Sequence, residues 1–130
     1  MVQNRKLIEF HPALADPIQY LTDNDFRIVR RCDVDDSVPN DGIEHCFIAR
    51  DPDGYELDIT VSFDTRAAAD IIHRSRWRIN LTSSFWITAA ERHLADYLWE
   101  HGDFPPDARL VINEPDLTDI DSALRWHADK

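Results

Sequence analysis

Residues 43–64 read IEHCFIARDPDGYELDITVSFD. At their centre Asp51-Pro52-Asp53-Gly54 is a turn by composition: Pro52 presets φ, Asp53 can bond the local backbone, and Gly54 accepts a left-handed conformation. Beyond it the chain alternates without error. Tyr55, Leu57, Ile59, Val61 and Phe63 take one face, and Glu56, Asp58, Thr60, Ser62 and Asp64 take the other. A period of two with one apolar side is the pattern of a half-buried antiparallel strand. Two registers compete for the hairpin. A DPDG loop pairs Arg50 with Tyr55 and turns Cys46 onto the apolar face. A PDG loop with a bulge at Gly54 pairs Arg50 with Glu56, and turns Ile43, Phe47 and Ala49 inward. The turn chemistry and the opposite charges favour the second.

Outward from this hairpin, FRIVRRC (26–32) is a strand by its β-branched and aromatic content, and KLIEF (6–10) is a short one. Asp16-Pro17 reads as an N-cap and first helical position, opening a short helix through Ile18 and Leu21. On the other side Asp64 or Thr65 caps a helix over RAAADIIHRSR, with Ala68, Ile71 and Ile72 on its apolar side. WRINLTSSFWI (77–87) alternates again, with Trp77, Ile79 and Leu81 on one face, and predicts a strand. TAAERHLADYLWEHG (88–102) carries a Thr88–Glu91 capping box and a Gly102 stop backed by Pro105 and Pro106. Its buried stripe should be Ala90, Leu94, Tyr97, Leu98 and His101. RLVIN (109–113) is a last strand. Thr118 or Asp119 opens a terminal helix with Ile120, Ala123, Leu124 and Trp126 inward. The sum is one α+β domain over residues 1–130: an antiparallel sheet of four to five strands, with helices mainly on one face.

The chain has 130 residues and a net charge of −11, unevenly spread. Residues 32–64 hold ten acids against Arg50 alone, a local net of −9. Such a field disfavours nucleic acid and anionic membranes, and favours solubility or a basic partner. The HRSRWR segment (73–78) is basic and aromatic, but short; its arginines are expected to pair with the acidic strand faces rather than with phosphate. No run approaches the 18 or more apolar residues of a membrane helix, and the first residues lack the apolar centre of a signal peptide. The expectation is a cytoplasmic protein with reduced thiols.

CDVDDSVPNDGIEHC (32–46) places Asp33, Asp35, Ser37, Asp41 and Glu44 at positions 1, 3, 5, 9 and 12 of a calcium loop. Val38 stands where that loop needs glycine, and the flanks read as strands rather than helices. The segment is therefore read as a long acidic hairpin loop turned at Asn40-Asp41-Gly42. Neither a structural disulfide between Cys32 and Cys46 nor a metal or other cofactor is expected. No GxSxG surrounds Ser83-Ser84, and only three glycines are present, too few for a Gly-rich phosphate loop. No catalytic residue is assigned.

Function is then expected to be protein binding. A small acidic module of the inhibitor, immunity or adaptor kind would present Asp33, Asp35, Asp36, Asp41 and Glu44, with the neighbouring strand face, to a basic protein. Trp86 and Trp99, off the main apolar registers, are the expected interface anchors. The alternative is an enzyme or small-ligand binder with a pocket between the sheet and helix 88–102, lined by His93, Asp96 and Tyr97.

Overall fold

The computed structural model describes residues 19–127; the KLIEF segment and the Asp16-Pro17 cap lie outside them. Five strands form one sheet in the order β1 (Gln19–Leu21), β2 (Arg27–Arg30), β3 (Glu44–Arg50), β4 (Glu56–Phe63) and β5 (Arg109–Ile112). Between β4 and β5 run α1 (Thr65–Arg74) and α2 (Phe85–His101), and α3 (Leu117–Leu124) follows β5. The first four strands are joined as antiparallel neighbours, whereas β5 pairs with β4 in parallel. An α+β domain is what the hydropathy pattern predicts, but its sheet is mixed. The chain crosses over through two helices before RLVIN, and such a crossover returns a strand in parallel.

The β3–β4 hairpin adopts the bulged register. Arg50 faces Glu56 and Cys46 faces Thr60, Gly54 takes φ +93°, and the Arg50 Nε donates to Glu56 at 3.0 Å. Asp51 clasps the turn by accepting from the Asp53 and Tyr55 amides. Ile28, Phe47, Ala49, Ile59, Val61 and Phe63 form the buried face of the sheet. Against it α2 packs on β2, β3 and β4 with Trp86, Ala90, Leu94 and Leu98 fully buried. Leu94 and Leu98 each contribute about 1.5–3 kcal/mol through the apolar surface they remove from water. Cys46 points to the opposite face with Ile48, while Cys32 lies in the 3-10 turn Arg31–Asp33; both thiols are free.

Four elements differ from the sequence expectation. Leu21 ends a strand, not a helix: Gln19, Tyr20 and Leu21 pair with Val29, Ile28 and Arg27. A short apolar run does not distinguish the two states, and the β2 edge decided it. The 77–87 strand does not form. Ser75 Oγ accepts from the Ile79 amide, Ser83 Oγ from the Asn80 amide, and Asn80 Oδ1 from the Thr82 amide. These local bonds satisfy the backbone that a strand would need a neighbour to satisfy. Only Ile79 of the predicted apolar face is buried; Trp77 is 74% exposed.

The third difference is the start of α2, where Ser84 rather than Thr88 occupies the N-cap position. Glu91 turns inward to Arg30 of β2, whose Nη2 donates to it at 3.1 Å, and so cannot reach back to an N-cap amide. At the other end Gly102 closes α2 in the left-handed region, φ +68°. Of the expected stripe, His101 is exposed and stacks on half-buried Tyr97, ring centres 3.9 Å apart. The fourth difference is the cap of α3, which belongs to Asp116. Its side chain accepts from the Asp119 amide and Asp119 accepts from the Asp116 amide, a reciprocal capping box. Asp119 is thereby buried at the third helical position, and Leu124 is left exposed.

Candidate functional site

The acidic loop forms between β2 and β3. Asp33, Asp36, Asp41 and Glu44 are exposed and Asp35 half-exposed. Among the described residues none of the five makes an ion pair. Asp35 Oδ1 accepts from the Ser37 amide and hydroxyl at 3.0 and 2.7 Å, which shapes the loop and lowers the carboxyl's pKa. The Gly42 amide donates to Leu81 O, tying the loop tip to the segment that precedes α2. At the loop's base His45 is buried and donates from Nε2 to Gly42 O at 2.8 Å. Desolvation holds His45 below the usual histidine range despite that bond.

The strand face beside the loop is not an acidic surface. Register places Arg27 beside Arg50 and Glu56, and Arg109 beside Thr60. Arg50 pairs with Glu56, and Arg31 reaches Asp58 at 4.0 Å. Arginines from neighbouring strands therefore offset the β4 carboxylates. Those of HRSRWR do not, contrary to expectation: Arg74 pairs with Asp70, and Arg78 donates to the Trp126 and Leu124 carbonyls at 2.7 and 2.8 Å, closing the C-terminus of α3.

Trp86 cannot serve as an interface anchor. It is fully buried, its Nε1 donates to Asn80 O at 2.8 Å, and Phe63 and Phe85 meet its ring edge-on. Its place in the first turn of a helix, rather than on a strand, turns it into the core. Trp99 is the reverse case, 57% exposed near the end of α2. It lines a groove of about 410 Å³ with Tyr20, Leu21 and Ala95. Among the described residues, the charged ones on that groove are Asp23, Asp96 and Glu100, all carboxylates. Its β1 wall is held by Asn24, whose Nδ2 donates to Leu98 O at 3.0 Å.

On the other flank of α2 lies a second cleft of about 310 Å³, between the helix and β5. His93, Asp96 and Tyr97, the residues of the alternative pocket, all line it. With Glu100 they stand three and four apart on one helix face. Leu110, Val111, Ile112, Asn113, Glu114 and Asp116 form the opposite wall. The two hollows share Asp96 and Glu100, so the C-terminal half of α2 is an acidic ridge with an aromatic on each side.

Behind the second cleft Arg92, His93, Asp116 and Asp119 form one cluster. Arg92 Nη2 donates to Asp116 and Asp119, both at 2.8 Å, and His93 Nε2 lies 2.7 Å from Asp119 Oδ2. Burial pushes the Asp119 carboxyl up, but His93, the Asp116 amide and Arg92 outweigh it and hold it below the usual carboxylate range. His93, Asp116 and Asp119 bring ligand atoms within 4.8 Å of one another. The guanidinium of Arg92 already fills the space between the carboxylates and offsets their charge, so the group is built as a clamp between α2 and α3 rather than as a metal centre. Among the described residues that line the cleft, none is a serine, threonine or cysteine.

No protein-family model, curated protein or solved structure matches this chain. Trp99, Asp96 and Tyr97 could be singled out from sequence; Tyr20, Leu21, Asp23 and Glu100 could not, because only the folded sheet brings the β1 hairpin against α2.

Proposed function

We propose that this protein is a binding module that presents the C-terminal half of α2 to a basic protein partner. One observation carries the reading: exposed Trp99 stands with Tyr20 and Leu21 in a groove where every charged lining residue among those described is a carboxylate. Tryptophan and tyrosine supply most of the binding energy at interfaces when a partner desolvates them, and a ring of like charge selects the opposite sign. The loop acids Asp33, Asp35, Asp36, Asp41 and Glu44 sit at the other end of α2, roughly 25 Å away for a helix of this length. They contribute a long-range steering field rather than the contact. Inhibitor, immunity and adaptor roles all fit such a surface.

The test is co-purification from native cells using the full chain, Trp99→Ala and the double variant Asp23→Lys, Glu100→Lys. A basic protein should be retained by the parent, released as salt rises from about 0.05 to 0.3 M, and lost from both variants at unchanged melting temperature. A partner retained equally by all three proteins would place the contact elsewhere.

A further inference from the structure

We infer that the α2–β5 cleft takes an extended, lysine- or arginine-bearing segment of the partner, added to the sheet as a strand along the free edge of β5. This rests on the partner-binding reading above and names the form that the partner takes.

The backbone of β5 carries the argument. In a parallel ladder, alternate residues turn both N–H and C=O toward the same neighbour. Ile112, opposite Phe63, accepts from the Asp64 amide at 3.0 Å, the bond of a residue turned toward β4. Leu110, two residues earlier, is turned the same way. Val111 between them, and Arg109 and Asn113 beside them, aim their backbone groups away from β4. Among the described residues no strand lies on that side. An edge of this kind is a template for an extended chain.

The surroundings select which chain. A strand added one spacing out, about 4.8 Å from β5, runs along the cleft that Leu110, Val111, Ile112, Asn113 and Glu114 wall on one side. Its alternate side chains point toward the α2 ridge. There they meet Asp96, Glu100, Glu114 and Asp116, with Tyr97 beside them. Asp96 and Asp116 already share Arg92, whereas Glu100 and Glu114 have no ion pair among the described residues. Glu100 and Glu114 are thus the two free carboxylates for incoming cations. Exposed Val111 offers an apolar contact on the opposite face of the sheet.

The probe is a fluorescent peptide of about nine residues alternating lysine and threonine, long enough for an average strand. A peptide of equal charge interrupted by prolines is the control. Binding to the full chain is read by fluorescence anisotropy and by amide hydrogen exchange. The alternating peptide should bind at least about tenfold more tightly than the control, and should slow exchange at the Val111 amide. Val111→Pro removes an N–H that the fold does not use, which an edge strand tolerates, and should weaken binding by about tenfold, the worth of one to two hydrogen bonds. The double variant Glu100→Lys, Glu114→Lys should weaken it as much, without touching the backbone. If Val111→Pro does not fold, Val111 amide protection in the parent protein decides the matter. Loss of binding in the double variant, with no Val111 protection and no preference for the alternating peptide, overturns strand addition while leaving the acidic-ridge reading in place. Equal binding by parent and double variant overturns both.

Discussion

Replacing Asp119 with alanine should cost this protein about 2–3 kcal/mol at neutral pH. The side chain is 1% exposed and accepts from Arg92 Nη2 at 2.8 Å, His93 Nε2 at 2.7 Å and the Asp116 amide at 3.1 Å. Removing one partner of a fully buried ion pair costs about 3–5 kcal/mol. Here the Arg92 side chain is 24% exposed and keeps both Asp96 and Asp116, so solvent and the remaining carboxylates reduce the loss. For a domain of this length about 2–3 kcal/mol corresponds to roughly 6–12 °C in melting temperature. Guanidinium titration of parent and Asp119→Ala should show a lower midpoint at unchanged slope. The pH dependence follows from the depressed folded pKa of Asp119. Its contribution is complete above the unfolded value of about 3.9 and is lost as pH falls through the lower folded value. The gap between parent and variant should therefore narrow as pH falls below about 4. A gap below about 0.5 kcal/mol at pH 7 would refute the clamp.

Three further outcomes are expected. Trp86→Ala should lose about 3–5 kcal/mol and Trp99→Ala no more than about 0.5; urea titrations giving equal losses would contradict their opposite burial. Arg76, at φ +56°, occupies the left-handed position after α1, where the Trp77 amide bonds Ile72 O and its own amide bonds His73 O. Arg76→Gly should raise stability by about 0.5–1 kcal/mol, the relief of left-handed strain less the extra freedom glycine has when unfolded, and a lower melting temperature would count against the assignment. His45, held neutral by burial, should make the parent lose stability as pH falls below the unfolded value of about 6.5 and on through the depressed folded one. His45→Gln should flatten that limb between about pH 7.5 and 5.5, and an unchanged slope would mean that other groups produce it.

Signals contained within a few residues were legible in the sequence. The β3–β4 hairpin and its register follow from Pro52, Gly54 and the Arg50–Glu56 pair, because turn geometry sets which residues face each other. The Asp64 cap of α1, the Gly102 stop of α2 and the strand at 109–112 are equally local. What the tertiary structure decided are the choices between locally equivalent states. Thr88 and Glu91 spell a good cap, but Arg30, 61 positions away, took Glu91 into the seam between sheet and helix. Trp77, Ile79 and Leu81 alternate as a strand should, yet no neighbouring strand received them and Ser75, Asn80 and Ser83 bonded the backbone instead. The same holds for the surface proposed to bind. Trp99 and Tyr20 lie far apart in the chain and meet only because β1 pairs with β2 and Asn24 fastens that hairpin to α2. Asp119 lies 27 residues from Arg92, and nothing in its own neighbourhood of sequence marks it as the buried carboxylate that holds two helices together. Periodicity and turn chemistry act over one or two turns of chain, whereas burial and ion pairing depend on which segments the fold brings into contact.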